Sequence, residues 1–349
     1  MQPDLENLPN SVPLRIAFAG TGYINKVHAK SARNAGANLV AVVNHRPESM
    51  AEFASEFTIP RQYLNLGDLL KDGGVDALVV STPNHLHAEQ TNAALQAGVH
   101  VLVEKPMAMN ALEAKAMHDS AQMNGRTLMV AHCFRFDPQC TWLREQIAAG
   151  KIGKIIRTKG YGVHVNWGPS GWFTQKKFAG GGAMADVGIH ALDTARFLLG
   201  DPQPVSVYAK ISTNYGDYDV DDTGIVLVNW DNGICSYFEA GWRQPHADQA
   251  CAGTQLYGQN GFASLFPTRL EIPEPGKNDL SLLMEPAVFK ENRTDEASQN
   301  MYDAQMQYFL ECIQSGKTPN PGGLEGWNNM RVVDAAYESS RTGKVVELN

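Results

Sequence analysis

The sequence lacks the features that mark several classes of protein. No apolar run approaches the roughly 20 residues of a membrane-spanning helix. Basic residues are scattered and fewer than acidic ones, 29 against 37, so the clustered basic patch of a nucleic-acid-binding surface is missing. Residues 1–10 are polar and acidic, unlike a secretory signal peptide. We therefore expect a cytoplasmic protein that binds neither nucleic acid nor membrane.

Cysteine is scarce, and its spacing argues against cysteine-based sites. The five cysteines form neither a CxxC pair nor a zinc-ligand pattern, which favours reduced structural thiols. They are Cys133, Cys140, Cys235, Cys251 and Cys312. His85 and His87 are two residues apart, whereas ligands on one helix face lie a full turn apart. We expect no metal site.

A chain of 349 residues exceeds what one hydrophobic core usually supports, so we expect two domains. We divide it into residues 1–134, which the motifs described below predict to bind NAD(P), and residues 135–349, for which the family resemblance described below implies substrate binding and oligomerisation. The C-terminal helix is a candidate to pack back on the first domain. In the first domain, short apolar runs alternate with helix-length stretches, which is typical of an α/β Rossmann fold with a parallel sheet. The predicted strands are residues 14–19, 39–43, 77–80, 99–103 and 127–131.

A glycine-rich turn follows the first of these strands. Residues 20–25, GTGYIN, carry the first two glycines of the dinucleotide-binding fingerprint but have Asn25 in place of the third. The first two allow a tight turn and close approach of the backbone to a pyrophosphate, whereas the third eases helix packing. We therefore predict cofactor contacts at Gly20, Gly22, Tyr23 and Ile24.

The end of the second strand bears on the choice of dinucleotide. An NAD-binding chain carries Asp or Glu about twenty residues beyond the glycines, but this chain has Asn44, His45 and Arg46 there. The Arg46 guanidinium suits the 2′-phosphate of NADP, which we predict as the cofactor, with NAD the alternative. The alternative is that Arg46 is merely a solvated residue at a helix start before Pro47.

Two further strands end in polar residues, and the carboxyl ends of parallel strands share one edge of the sheet. Glu104 and Lys105 end one strand, just before Pro106. A lysine at that edge can hydrogen-bond the reacting oxygen and the cofactor ribose together, although a solvated surface lysine is the alternative. The other strand is followed by residues that suit either a cofactor crevice or a plain helix start: Ser81, Thr82, Pro83, Asn84 and His87.

The second domain is predicted to be α+β, with a helix at residues 139–149 and a large open, mainly antiparallel sheet. Its predicted strands are residues 155–165, 205–211, 223–230, 234–242 and 253–257. Residues 231–233, Asp-Asn-Gly, suit a hairpin turn. The acidic residues Asp217, Asp221 and Asp222 are interpreted as a solvated strand start.

The catalytic candidates follow three glycines, residues 180–182, which would let a ligand approach the backbone closely. Asp186 and His190 are spaced one helical turn apart and Asp193 lies three residues further, so the periodicity places all three on one face. A carboxylate can orient the imidazole, and histidine titrates near the pH at which a base must remove an alcohol proton. A structural Asp–His pair is the alternative.

Aromatic residues precede this helix. His164, Trp167 and Trp172 lie in a glycine-rich stretch. Aromatic faces suit the C–H faces of sugar rings, but tryptophans also commonly fill cores.

Taken in order, these motifs resemble the Gfo/Idh/MocA family (glucose–fructose oxidoreductase, inositol dehydrogenase, rhizopine catabolism) over essentially the whole chain. The segments that carry the resemblance are residues 19–23, 81–87, 97–106, 180–190 and 335–343. The resemblance implies that His190 is the acid/base, that Asp186 is its neighbour and a substrate contact, and that Lys105 bridges substrate and cofactor. It also implies a substrate contact for Arg135, and dimers or tetramers formed through the free face of the second sheet.

The leading hypothesis is an NAD(P)-dependent oxidoreductase acting on a secondary alcohol of a sugar, inositol or polyol. One alternative keeps the site but recycles a bound cofactor during hydrolysis, elimination or epimerisation. Another is a dinucleotide-sensing regulatory protein. Intact Lys105, Asp186 and His190 argue against a sensor, because a sensor needs no proton-transfer pair.

Overall fold

The computed structural model describes residues 12–245, 252–273, 280–284 and 295–348. The first sheet has six parallel strands in the order β3-β2-β1-β4-β5-β6, the Rossmann arrangement that the strand pattern predicts. Its strands are β1 (Arg15–Ala19), β2 (Asn38–Val43), β3 (Arg61–Tyr63), β4 (Ala77–Val80), β5 (His100–Val103) and β6 (Leu128–Val130). The helices between them are α1 (Tyr23–Asn34), α2 (Pro47–Phe57), α3 (Leu66–Asp72), α4 (His87–Gln96) and α5 (Ala111–Asn124).

Both faces of this sheet are buried. In β1, Ile16 and Phe18 belong to one hydrophobic cluster, whereas Ala17 and Ala19 belong to another. Successive strand residues point to opposite faces, so the two clusters lie on the two sides of the sheet. The pattern analysis missed β3 because its three residues, RQY, contain no apolar run.

The second sheet has nine strands within the described residues, in the order β14-β13-β12-β11-β7-β10-β9-β8-β15. They are β7 (Ile155–Val165), β8 (Pro204–Ser212), β9 (Thr223–Trp230), β10 (Cys235–Gln244), β11 (Ala252–Gly258), β12 (Gly261–Leu265), β13 (Arg269–Pro273), β14 (Leu280–Met284) and β15 (Val346–Glu347). The β7–β10 pair is parallel and the other pairs are antiparallel. The prediction of a mainly antiparallel sheet is confirmed, including the hairpin turn between β9 and β10.

The helices of this half are α6 (Pro138–Ala148), α7 (Lys176–Ala179), α8 (Ile189–Leu198), α9 (Asp295–Ser315) and α10 (Gly323–Thr342). Met306, Phe309 and Leu310 of α9 share a core with Ile16 and Phe18 of the first sheet. Helix α10 packs against both α5 and β8. The last part of the chain therefore joins the two sheets.

One face of the second sheet points away from the helices. Residues of β9 alternate between buried and exposed, and the outward positions include Ile225 and Leu227. Ile156 and Tyr208 add exposed apolar area. The four cysteines in the described ranges form no disulfide, and Cys251 lies outside those ranges. No helix of the described residues is both long and apolar enough to cross a bilayer.

Candidate active site

The turn between β1 and α1 has the geometry that the glycine pattern predicts. Gly20 has a φ of 97°, and a Cβ there would lie 2.7 Å from the carbonyl oxygen of Ser81. Gly22 precedes α1, and a Cβ there would face open space. The first turn of α1 carries no acidic residue. An open helix N-terminus at the carboxyl edge of a parallel sheet fits a pyrophosphate group.

Asn25, which replaces the third fingerprint glycine, holds two strands together. Its side chain is buried, and Nδ2 donates to the carbonyl oxygens of Ala19 (3.0 Å) and Gly20 (2.7 Å). Its Oδ1 accepts a hydrogen bond from Ser81 Oγ at 3.1 Å. The residue in place of the third glycine therefore connects this turn to Ser81 after β4 by hydrogen bonds.

The end of β2 carries the residues predicted to select the dinucleotide. The Asn44 amide donates to the hydroxyls of Thr21 and Ser49. His45 and Arg46 are exposed, and Arg46 occupies the N-cap position of α2. Both predicted roles of Arg46, phosphate contact and helix start, are compatible with this placement.

The residues after β4 make structural hydrogen bonds and also line a cavity. Asn84 Nδ2 donates to the carbonyl oxygen of Ala179 at 2.9 Å. Nε2 and Nδ1 of the His87 ring lie 2.8 Å and 2.9 Å from the carbonyl oxygens of Thr82 and Pro106, and burial lowers the pKa of His87. His87 therefore ties the loop after β4 to the loop after β5, which carries Lys105.

Glu104 is an ionised carboxylate at the end of β5. It lies 2.8 Å from Nε2 of His28 and accepts a hydrogen bond from the backbone nitrogen of Lys105 at 3.0 Å. Burial alone would raise the pKa of Glu104, but contacts with His28 and the Lys105 charge outweigh it, so the pKa lies below its usual value.

Lys105 forms an ion pair with Asp186. Lys105 Nζ lies 3.0 Å from Asp186 Oδ1 and 2.9 Å from the Asp186 backbone oxygen, and the two side chains are 19% and 13% exposed. Burial lowers the pKa of Lys105, but the carboxylates of Asp186 and Glu104 outweigh it and raise the pKa above its usual value. Lys105 is therefore an ammonium at neutral pH.

The helix that carries the catalytic candidates begins with a π-helical turn. Residues Met184–Gly188 form this turn, and α8 follows at once. Such π-turns are rare and frequently occur at functional sites. Asp186 lies inside the turn and His190 in the first turn of α8, and both line the cavity.

Asp221 anchors the start of this helix, so its interpretation as a solvated residue is wrong. Its side chain is 7% exposed and accepts hydrogen bonds from the backbone nitrogens of Gly182 (2.7 Å) and Met184 (2.8 Å) and from Tyr337 Oη (2.7 Å). A Cβ on Gly182 would overlap the carbonyl oxygen of Asp221. The glycine at this position therefore accommodates Asp221 rather than a ligand. Asp222 is fully buried as well, and only Asp217 of the acidic group is exposed.

The cavity has a volume of about 400 Å³, within the range of small-molecule sites. The predicted cofactor residues in its wall are Tyr23, Ile24, Ser81, Thr82, Asn84, His87 and Glu104. The predicted catalytic and substrate residues in its wall are Lys105, His164, Trp172, Asp186 and His190. The structure thus brings together side chains from both halves of the chain. Six other predicted cofactor residues lie outside this wall: Gly20, Gly22, Asn44, His45, Arg46 and Pro83.

Aromatic rings form part of the wall. Trp172 stacks on Phe173, and His164 stacks on Trp167, each with ring centroids 3.8 Å apart. Trp167 is 55% exposed, so this second pair reaches the surface. The pKa of His164 is lowered by burial, which favours the neutral ring.

Arg135 does not contact the cavity, so the expected substrate contact is not supported. Its side chain is buried, and Nε and Nη2 donate to the two oxygens of Asp193 at 2.8 and 2.7 Å. Nη1 lies 2.9 Å from Asp201. Asp193, three residues beyond His190, belongs to this network and is not part of the cavity wall. Burial alone would raise the pKa of Asp193, but the guanidinium holds it well below its usual range.

Sequence reasoning missed several cavity residues, among them Cys133, Phe173 and Tyr302. Tyr302 comes from α9, and the Cys133 thiol and burial together raise its pKa well above the ordinary value. No motif or spacing marks Tyr302, since it reaches the site only because α9 packs across the first domain. Phe173 is the sequence neighbour and stacking partner of the predicted residue Trp172, so the aromatic pair in the sequence could have indicated it.

Two family profiles match the chain. The Gfo/Idh/MocA profile for an NAD-binding Rossmann fold matches residues 14–132, and the profile for the C-terminal alpha/beta domain of the same oxidoreductase family matches residues 144–348. This chain belongs to the Gfo/Idh/MocA oxidoreductase family.

Named relatives are enzymes that act on sugars. The chain is 31% identical to D-glucoside 3-dehydrogenase of Escherichia coli (strain K12), with 99% of this chain and 100% of the relative covered. It is 30% identical to D-xylose 1-dehydrogenase (NADP(+)) 2 of Haloferax volcanii, with 96% and 100% covered. Levoglucosan dehydrogenase in complex with NADH and levoglucosan shares the fold, with a TM-score of 0.85 at 23% identity and 96% and 99% covered. As a family member the chain is an NAD(P)-dependent oxidoreductase.

Proposed function

We propose that this protein transfers a hydride between nicotinamide and a secondary alcohol of a sugar, inositol or polyol ring. One observation carries the proposal. Lys105, Asp186 and His190 line a single cavity beside the end of β5, and parallel α/β sheets bind ligands at the carboxyl ends of their strands. A bound nicotinamide supplies the hydride acceptor or donor.

The charge state of Lys105 indicates that it and His190 have different roles in the reaction. Because the pKa of Lys105 is raised, its ammonium donates a hydrogen bond to the alcohol oxygen and does not remove the proton. His190 lines the same cavity and is the group that takes the proton as the alcohol becomes a carbonyl. Asp186 keeps Lys105 charged and in place.

The cavity walls favour an uncharged ring as substrate. The stacked Trp172 and Phe173 present apolar faces that suit the C–H face of a pyranose. By name, the two relatives described above act on a D-glucoside and on D-xylose. We therefore place a neutral aldose or glycoside first among the candidate substrates.

A substrate panel tests this function. Neutral aldoses, glycosides, inositols and sugar phosphates are supplied with NADP⁺ or NAD⁺, and the absorbance of reduced nicotinamide is followed. The proposal expects stoichiometric reduced cofactor with at least one neutral ring. Conversion of a sugar without reduced cofactor would contradict net oxidation and support a recycled cofactor. Cofactor binding without conversion of any sugar would support a sensor.

NADP is the proposed cofactor, supported by the exposed Arg46 at the N-cap position of α2 and by the lack of a carboxylate at residues 44–46. Arg46→Ala is expected to raise the KM for NADP about tenfold, the scale of one lost charge-assisted hydrogen bond, and to leave the KM for NAD unchanged. Lys71→Ala, which removes an exposed charge from α3, is the control. If Arg46→Ala changed the KM for NADP and the KM for NAD by the same factor, Arg46 would not select between the two cofactors.

We also assign the outward face of the second sheet to a homodimer or homotetramer contact, supported by the exposed apolar residues Ile156, Tyr208, Ile225 and Leu227. Ile225→Glu is expected to shift the sedimentation coefficient to that of a monomer. A wild-type protein that sediments as a monomer would contradict this assignment.

A further inference from the structure

Asp186 has a second hydrogen-bond partner, Trp242, which lies outside the catalytic motifs. Trp242 is on β10, and its side chain is 1% exposed. Its indole Nε1 donates to Asp186 Oδ2 at 3.0 Å. A buried indole N–H needs an acceptor, and here that acceptor is a carboxylate of the active site.

The two oxygens of Asp186 are thereby divided between two donors. Oδ2 accepts from Trp242, while Oδ1 lies 3.0 Å from Lys105 Nζ. Two donors on opposite oxygens fix the plane of the carboxylate. With the indole N–H removed, the carboxylate could rotate about its terminal torsion, which is a soft one.

We propose that Trp242 is a positioning residue of the reaction, whose indole N–H holds the Asp186 carboxylate in the orientation that binds the Lys105 ammonium. The consequence for catalysis rests on the proposed function. The hydrogen-bonding arrangement itself does not depend on that function.

The indole also packs, and this packing must be separated from its hydrogen bond. Its ring belongs to an apolar cluster with Ala183, Val187 and Val220, against which Phe173 packs. The Trp242 backbone nitrogen is held separately by the carbonyl oxygen of Asp222 at 2.8 Å. A phenylalanine can therefore keep most of the apolar contact while it removes only the donor.

Charged and titratable groups face Lys105 from several elements. Asp186 comes from the π-turn, Glu104 from the end of β5 and Cys133 from the turn after β6, and all three raise the pKa of Lys105. His164 on β7 also interacts electrostatically with Lys105. When the Asp186 carboxylate is no longer held near the Lys105 ammonium, it raises the pKa of Lys105 less. The opposing effect of burial is unchanged, so the pKa of Lys105 falls.

The decisive comparison is Trp242→Phe against Trp230→Phe. Trp230 on β9 is a matched control, since it is 2% exposed and donates Nε1 to Ser236 Oγ at 2.8 Å, a bond of the same kind without a catalytic partner. The Lys105 side chain is 19% exposed and lines the cavity, which gives a small acylating reagent a route to this residue. The rate of Lys105 labelling by acetic anhydride against pH, read by peptide mass spectrometry, gives its pKa without any substrate.

We expect Trp242→Phe to lower the pKa of Lys105 and to reduce kcat about tenfold at unchanged cofactor Kd. Trp230→Phe should leave both quantities at the wild-type level. Trp242→His keeps a ring N–H of similar reach, so its Lys105 pKa and its kcat should lie between those of wild type and Trp242→Phe. This second variant keeps the test valid if Trp242→Phe folds poorly.

An unchanged Lys105 titration in both Trp242 variants, or the same change in Trp230→Phe, would overturn the proposal. A wild-type protein without turnover would refute the proposed function, while the labelling result would still decide the role of Trp242.

Discussion

His132 is a buried histidine whose surroundings should make the fold sensitive to acid. Its side chain is 1% exposed at the end of the first sheet, and Nε2 lies 3.1 Å from the amide of Asn329. Since that amide donates, Nε2 accepts and the proton of the neutral ring resides on Nδ1, 3.7 Å from Asp193 Oδ2. Burial lowers the pKa of His132 from 6.5 to about 4, although Asp193 partly offsets this.

The sign of the effect follows from proton binding. Below pH 6.5 the unfolded chain binds a proton at His132, whereas the native fold binds it only near pH 4, so acid favours unfolding. At roughly 1.4 kcal/mol per pH unit, this residue removes about 2 kcal/mol of stability between pH 7 and pH 5. The loss reaches about 3 kcal/mol at pH 4 and stops growing below it.

The free energy of unfolding, measured by urea denaturation of wild type and His132→Gln from pH 7 to pH 5, tests this value. Glutamine can still accept from Asn329 but does not titrate, so the variant should lose about 2 kcal/mol less over this range. If the substitution destabilises the fold by the same amount at every pH, it shifts the whole curve of unfolding free energy against pH without changing its slope. His87, also buried with a lowered pKa, contributes equally to both proteins. His45→Gln, at an exposed position, controls for the removal of a histidine. Parallel pH profiles of wild type and His132→Gln would refute the reasoning.

Two further substitutions test the corrected roles of Arg135 and Gly182. Arg135→Met leaves the Asp193 carboxylate without its bidentate partner, so the free energy of unfolding should fall by roughly 3–5 kcal/mol. The KM for sugar should stay unchanged at a temperature where the variant is folded; a raised KM at unchanged stability would restore Arg135 as a substrate contact. Gly182→Ala places a Cβ against the carbonyl oxygen of Asp221, so calorimetry should show a lower Tm together with lost turnover. Wild-type Tm and activity would show that Asp221 does not constrain this glycine.

Local patterns were sufficient to predict five of the six strands of the first sheet. Strands β1, β2, β4, β5 and β6 are apolar runs, because both faces of a parallel sheet are buried. Lys105 lies two residues beyond such a run, so its place at the sheet edge could be inferred from the sequence. The spacing of four residues between Asp186 and His190 singled out this pair, and both line the cavity; their catalytic role stays a prediction.

The remaining features depend on contacts between distant segments. The sequence around Asp221 suggests a surface residue. In the fold, its carboxylate is buried and accepts hydrogen bonds from Gly182, Met184 and Tyr337, which lie far away in the sequence. Arg135 carries no local sign that its partner is Asp193, 58 residues away. A buried charge is tolerated only with such a partner, and the sequence alone does not show which charges obtain one.

The Lys105 ammonium and the His190 imidazole are expected to act on one alcohol in one cavity, with His190 taking the proton. The most direct measurement is kcat for the best substrate with His190→Asn, alongside the cofactor Kd by fluorescence of the reduced nicotinamide. Loss of a general base should lower kcat by about 10²–10⁴-fold and leave the cofactor Kd unchanged. Wild-type turnover in His190→Asn would contradict the account.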